Sequence, residues 1–377
     1  MLCPHAKKCS GCQLQNMDYE EQLCFKQATC VKLLGRFTFL DEIIGMKHPF
    51  HYRNKVQAAF GFRHGRVISG VYQSATGNII PVDSCLLEDE GADRIIVSIR
   101  NLCESMNVHA YDSRTGRGFL RHVLVRTAAN GDTMVVLVTT KGDFPSRSMF
   151  VKKLLKLHPE ITTVVRNINP TDKGLMLGDQ SEVYYGNGFI TDTVCDLTFR
   201  VSPKSFFQVN RTQTEVLYKK ALAFARLTGK ERVLDAYCGT GTIGLIMAKH
   251  AKEVLGVEQN RDAVKDAKVN AEQNGIKNIR FVAADAGKFM DRLAADGETI
   301  DVVVTDPPRA GCSPQFLKSV ITLSPKRIVY VSCNPASLAR DIAVLNELGY
   351  HAEEVQPVDM FPQTSHVESV ALLRRAE

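Results

Sequence analysis

Two short segments near the C-terminus carry residues that could do chemistry together. Val329-Tyr330-Val331-Ser332-Cys333-Asn334-Pro335 runs an apolar strand into a loop that holds a cysteine. His366-Val367-Glu368-Ser369 sets a carboxylate at the head of another apolar run. Parallel α/β sheets collect ligands beyond the carboxyl ends of their strands. A thiol and a carboxylate in one cleft are a nucleophile and a proton acceptor. Cys238 and Cys312 are rival nucleophiles by position, but Cys238 sits inside a glycine turn and Cys312 lies beyond a proline loop. The plainer readings are a buried strand-end cysteine and a surface carboxylate.

A strand, a glycine turn and a helix start follow one another from Val233 to Gly244, through Asp235, Tyr237, Gly239, Gly241 and Thr242. Such glycines let the backbone approach a ligand closely. Glu258 ends the next strand and can accept hydrogen bonds from both hydroxyls of a ribose. This points to an adenosine-type ligand. Gly239 to Gly244 also matches G-x-G-x-x-G, so a nicotinamide-dependent oxidoreductase competes. Asp306-Pro307-Pro308-Arg309 weighs against it. This type of rigid loop recurs in methyltransferases that use S-adenosylmethionine beside a planar acceptor. Amine-methylating enzymes usually follow the prolines with an aromatic residue; here Arg309 stands there.

A carbon acceptor explains the cysteine. Uracil C5 is too weak a nucleophile to attack a sulfonium methyl unaided. A thiolate adding at C6 makes C5 enolate-like and able to take the methyl. A base then removes the C5 proton and the thiol leaves. The scheme needs a cysteine, a base and a group that polarises the ring: Cys333, Glu368 and Asp306.

These residues need an α/β frame, and the second half supplies it. After about residue 205 short apolar strands alternate with helices, at Arg232–Tyr237, Glu253–Glu258, Ile279–Ala283, Ile300–Thr305 and Arg327–Val331. That rhythm predicts a parallel, doubly wound sheet. Earlier residues read differently. Asp18 to Leu34 predicts a helix with Leu23, Cys30, Val31 and Leu34 on one face. His51 to Cys85 is β-like, and Asn130-Gly131 between two apolar runs predicts a hairpin. At 377 residues, two domains are expected.

The formal charge is +6 and pI about 8.7, compatible with nucleic acid but not requiring it. No apolar run reaches membrane-spanning length, and the N-terminus lacks a signal-like stretch, so a cytoplasmic protein without membrane partners is expected. There are eleven cysteines. Cys3, Cys9 and Cys12 are closely spaced, and Cys85 could be a fourth thiolate. Such a set suits zinc or an iron–sulfur cluster.

Ser205-Phe206-Phe207-Gln208-Val209-Asn210, Asp235 to Gly241, Asp306 to Gly311, Ser332 to Pro335 and Phe361 to Ser369 together resemble the RNA uracil-C5 methyltransferases, in their 23S ribosomal RNA branch. The resemblance covers nearly the whole chain. It implies a Rossmann-like class I S-adenosylmethionine-dependent methyltransferase domain (15–46 and 205–377) plus an α+β RNA-binding and iron–sulfur domain (1–14 and 47–204). It implies Cys333 as nucleophile and Glu368 as base, with Gln208, Tyr237, Glu258 and Asp306 lining the cofactor site and Thr242 and Asp285 near it. It implies a [4Fe-4S] cluster on Cys3, Cys9, Cys12 and Cys85, which argues against a tRNA substrate. Relatives often begin with a small RNA-binding barrel, which this chain is expected to lack. Arg53, Lys55, Arg63, Arg66, Arg117 and Arg121 are then candidate phosphate contacts. The base must leave its stack, so loop or single-stranded 23S rRNA is the expected substrate. A tRNA enzyme and a non-catalytic RNA-binding or ribosome-assembly factor remain alternatives.

Overall fold

The computed structural model describes residues 3–144, 146–171 and 175–376. In chain order the elements begin with α1 (Tyr19–Leu34), β1 (Lys55–Arg63), β2 (Arg66–Tyr72), β3 (Ile79–Pro81) and α2 (Glu90–Ser105). Next come β4 (Leu120–Thr127), β5 (Thr133–Thr139), α3 (Arg147–Leu157), β6 (Ile161–Ile168), β7 (Gln180–Tyr185), β8 (Ile190–Val194) and β9 (Leu197–Val201). The second half holds α4 (Arg211–Ala225), β10 (Arg232–Ala236), α5 (Thr242–Ala248), β11 (Glu253–Glu258), α6 (Arg261–Gln273) and β12 (Ile279–Ala283). It ends with α7 (Ala286–Ala295), β13 (Val302–Thr305), α8 (Pro314–Leu323), β14 (Arg327–Ser332), α9 (Pro335–Glu347), β15 (Tyr350–Val358) and β16 (Glu368–Arg375).

The chain forms two compact units. The first comprises Met1–Asn16, His48–Thr193 and Arg200–Ser205. Its sheet runs β3-β2-β1-β4-β5-β6-β7, antiparallel except where β5 meets β6 through the α3 crossover. Alternate residues Val123 and Val125 of β4, and Val135 and Leu137 of β5, join Ile95 and Ile99 of α2 and Phe150 and Leu154 of α3 in one core. The period-two alternation of strands and the 3.6-residue helical period make that possible. Asn130-Gly131 turns β4 into β5, with Gly131 at φ +88°.

The second unit comprises Met17–Lys47, Val194–Phe199 and Phe206–Glu377. Its sheet runs β12-β11-β10-β13-β14-β16-β15. The five strands from β12 to β14 are parallel; β16 is antiparallel to both of its neighbours. Buried on both faces, the parallel strands are nearly all apolar.

Val194–Phe199 differs from the expected 47–204 boundary. Polar pairing ties it to the second unit: the Thr198 amide donates to Asn274 Oδ1 at 2.9 Å, and Asn274 Nδ2 donates to the Thr198 carbonyl at 2.6 Å. Helix α1 also differs from its expected face. Its buried side is Gln22, Lys26, Cys30 and Leu34, while Val31 is 48% exposed. Asp359 explains the buried lysine, since Lys26 Nζ donates to its Oδ1 at 2.5 Å and Tyr19 Oη to its Oδ2 at 2.9 Å. Gln22 Nε2 donates to Gln363 Oε1 at 3.0 Å. Thus α1 is bolted to residues 359–363, just ahead of β16.

Candidate active site

The strand order reverses between β10 and β13, the switch point where an open α/β sheet leaves a crevice at its carboxyl edge. Tyr237 to Gly241 turn beyond β10, Glu258 ends β11, Asp285 follows β12, Asp306 follows β13 and Cys333 follows β14. Because β16 runs antiparallel, its first residue, Glu368, reaches the same edge.

The glycine turn is sterically determined. Gly239 and Gly241 have φ of +52° and +83°, and Tyr237, with a full side chain, has +62°. A Cβ on Gly241 would stand 2.7 Å from the Phe281 ring. Asp235 braces the turn from below, accepting the Gly244 amide at 2.7 Å. Burial pushes its carboxyl up to about 8. Sequence reading assigned Asp235 no role; a lone aspartate in an apolar strand was the available signal. Glu258 is held by two backbone amides, from Gly239 at 3.1 Å and Asn260 at 2.8 Å. Asp285 caps α7 by accepting the Lys288 amide at 3.0 Å, and its other oxygen accepts Gln259 Nε2 at 2.7 Å. Thr242 opens α5, with its hydroxyl 3.4 Å from that of Thr240. The Tyr237 ring packs on Phe316, centroids 5.2 Å apart. Glycine backbone, a fixed carboxylate and an aromatic face are suited to a nucleoside.

The reactive side of the crevice holds three acids. Ser332 pairs with Ser369 across the β14–β16 ladder, and Cys333 and Glu368 are the next residues on each side, close enough for the Glu368 charge to act on the thiol. Glu368 is only 4% exposed. Burial first, and the Asp306 charge second, push its carboxyl up to about 8, while Arg309 opposes them. Burial lifts Asp306 to about 7. The Cys333 thiol rises to about 11 through burial and then the charges of Glu368 and Asp306, with Arg309 again lowering it. Arg309 is the local counter-charge, and it donates to His366 Nδ1 at 2.7 Å. The rival cysteines are buried: Cys312 is 4% exposed and Cys238 8%. Burial pushes the Cys312 thiol up to about 12 and Cys238 higher still. Cys333 retains partial exposure.

Tyr218 is a second residue that sequence reading missed. It lies on α4, is 4% exposed, and its phenol is hydrogen-bonded to the Gln208 side chain with Asp306 and Glu368 nearby. Burial and those charges push its phenol well up. Within a helix its spacing announced only core. Phe206, two residues before Gln208, is 72% exposed.

The cysteines of the first unit were expected to bind metal. Cys9 and Cys3 both raise the Cys12 thiol, which burial lifts first, to about 11. Cys85 rises to about 12 by burial and then Glu88, a carboxylate that also acts on Cys12. Cys3 and Cys9 thus lie near Cys12, and Glu88 acts on both Cys12 and Cys85; thiols are the donor chemistry of zinc and iron–sulfur sites. The four thiols do not close into a ligating group: among the described residues no three His, Cys, Asp or Glu side chains are gathered as a metal site. Of the candidate phosphate contacts, Arg63, Arg66 and Arg117 are exposed. Lys55 is half-buried, its ammonium pushed down to about 8 by burial and Arg126. Arg121 is 8% exposed and lies 4.4 Å over the Tyr111 ring. Among the described residues no helix is long and apolar enough to cross a membrane.

Comparison with known proteins places the chain. The profile described as tRNA (uracil-5-)-methyltransferase matches residues 183–376. An uncharacterized RNA methyltransferase of Halalkalibacterium halodurans is 45% identical, the match covering 98% of this chain and 82% of that protein. One from Clostridium acetobutylicum is 43% identical over 100% of this chain and 84% of its own length. Among solved structures, the Pyrococcus abyssi tRNA (uracil-54, C5)-methyltransferase in complex with S-adenosyl-L-homocysteine superimposes with a TM-score of 0.80 at 27% identity, covering 99% of this chain and 88% of that one.

Proposed function

The chain belongs to the tRNA (uracil-5-)-methyltransferase family, and from that premise we propose that it methylates uridine C5 in RNA with S-adenosylmethionine, and that its substrate is 23S rRNA. The observation that carries the reaction is the meeting of Cys333, Glu368 and Asp306 at one sheet edge, beside a glycine turn shaped for a nucleoside.

Each group has a step. Glu258 takes the ribose hydroxyls, Tyr237 and the turn hold the adenosine, Asp285 lies near it, Thr242 opens the helix behind, and Gln208 faces both cofactor and base. Asp306, its carboxyl near neutrality, donates to or accepts from the uracil ring and polarises it. The Cys333 thiol loses its proton to Asp306, which leaves the Glu368 carboxylate free for the later step, and the Sγ electron pair forms the bond to C6. The C5=C6 pair moves onto C5 and O4. C5 then bonds to the methyl, and the C–S pair leaves with sulfur, giving S-adenosylhomocysteine. Glu368 takes the C5 proton, the C–H pair restores C5=C6, and Sγ departs as thiolate. Exposed Phe206 offers a stacking face for a base outside the helix stack.

The ribosomal assignment rests on the cysteine spacing, in which Cys3, Cys9, Cys12 and Cys85 would be the ligands of a [4Fe-4S] cluster. Iron and sulfide analysis of anaerobically purified protein tests this: about four of each per chain supports it, and stoichiometric zinc replaces it. The tRNA reading has its own support, because the matching profile and the Pyrococcus enzyme are both described by tRNA. Tritiated S-adenosylmethionine offered with 23S rRNA or tRNA separates the two after digestion to nucleosides. Labelled 5-methyluridine from 23S rRNA supports the proposal; label confined to tRNA overturns the substrate.

A further inference from the structure

The first unit contains a groove of ≈ 2040 Å³ that the chemistry above leaves unused. The N-terminal loop forms one wall, and the β1–β3 region with residues 111–114 forms the other. The loop is pinned there, with Ser10 Oγ 2.8 Å from Ser74 Oγ in the turn between β2 and β3. Small-molecule sites are roughly 300–1,000 Å³. This groove is about twice the upper figure and suits a polymer.

Its lining is predominantly cationic. Lys7, Lys8, Arg63 and Arg114 are exposed cations on its walls. Asp112 is the single carboxylate among the lining residues, and it is occupied locally: it accepts the Arg114 amide at 2.9 Å and lies 3.7 Å from that guanidinium. Exposed aromatic rings share the lining with the cations. Phe62 and Tyr72 are 57% and 54% exposed, large values for aromatic residues. Exposed cations and accessible rings in one groove bind a phosphate backbone and its splayed bases at once. An acidic peptide would use the cations and leave the rings without a matching surface.

We infer that this groove grips a single-stranded stretch of the RNA substrate, with Lys7, Lys8, Arg63 and Arg114 on phosphates and Phe62 and Tyr72 stacking on bases. The inference rests on the RNA reading above and gives it a binding surface.

The test is fluorescence anisotropy of a labelled oligouridylate of about 20 nucleotides, titrated with the full chain across a salt series from about 50 to 200 mM. Each phosphate contact contributes about 0.7 to the slope of log K against log salt for single strands. Lys7→Ala/Arg63→Ala/Arg114→Ala therefore lowers the slope by about 2. Phe62→Ala/Tyr72→Ala weakens binding about tenfold or more and leaves the slope unchanged. These side chains are exposed, so unchanged thermal melting accompanies both results. Parental slope and affinity in both variants overturn the inference, as does selective loss of polyglutamate binding in the charge variant. Failure of the methylation proposal looks different: parent and variants differ in binding as stated, yet no 5-methyluridine forms in any RNA.

Discussion

Cys333 and Glu368 flank the last pair of the β14–β16 ladder, Ser332 with Ser369, and the Glu368 charge acts on the Cys333 thiol. The β15–β16 hairpin thus returns a carboxylate to the edge where the parallel strands end. Glu368 and Asp306 both raise the Cys333 thiol, and Asp306 raises Glu368.

On the proposed mechanism, replacing Glu368 separates the two halves of the reaction. In Glu368→Gln the Cys333–C6 bond still forms and the methyl still transfers, but the C5 proton stays. A denaturation-resistant protein–RNA adduct accumulates while released 5-methyluridine falls by at least about 100-fold. Gel electrophoresis under denaturing conditions reads the adduct directly.

The same acids make stability pH-dependent. Folding raises Glu368 from 4.5 to about 8 and Asp306 from 3.8 to about 7. Between those limits the folded chain binds more protons than the unfolded chain, so these groups cost stability as pH rises through that window. Glu368→Gln removes its share. Its Tm at pH 8 exceeds the parental value by at least about 2 °C, and the difference shrinks toward zero near about pH 4. Calorimetry across that range checks it; a pH-independent difference contradicts it.

Tyr218→Phe keeps the buried ring and deletes the hydroxyl that is hydrogen-bonded to Gln208. We expect kcat/KM for RNA methylation to fall about tenfold, the worth of one buried hydrogen bond, with melting shifted little. A variant equal to the parent removes Tyr218 from the account.

Gly241→Ala places a Cβ 2.7 Å from the Phe281 ring at a backbone φ of +83°. The turn must shift to relieve the clash. Calorimetric titration is expected to show at least about tenfold weaker S-adenosylmethionine binding.

Lys26→Met leaves the Asp359 carboxylate buried without its cation. Breaking such a pair from one side costs about 3–5 kcal/mol. Denaturant unfolding should report a loss of that order. Because residues 359–363 lead toward Glu368, adduct formation should slow in the fraction that stays folded.

Much of this was legible in the chain. The β10 turn, the strand ends at Glu258, Asp306 and Cys333, and the hairpin at Asn130-Gly131 were written in glycine spacing and apolar runs, which are local signals. What escaped depends on distant partners. The buried face of α1 carries Gln22 and Lys26, which hydropathy assigns to solvent; only Gln363 and Asp359, more than three hundred residues away, make that face stable. Val194–Phe199 moved to the second unit through Asn274. Tyr218 and Asp235 gain their positions from tertiary hydrogen bonds that no spacing announces. The cysteine spacing was plain, yet among the described residues the thiols are not gathered into a metal site.

The most direct test of the central claim uses 23S rRNA fragments containing 5-fluorouridine, mixed with S-adenosylmethionine and the parent protein. Fluorine cannot leave C5 as a proton does, so the intermediate is trapped. The account predicts a denaturation-resistant, methylated adduct that the Cys333→Ala variant does not form. An adduct of equal yield in Cys333→Ala would contradict it.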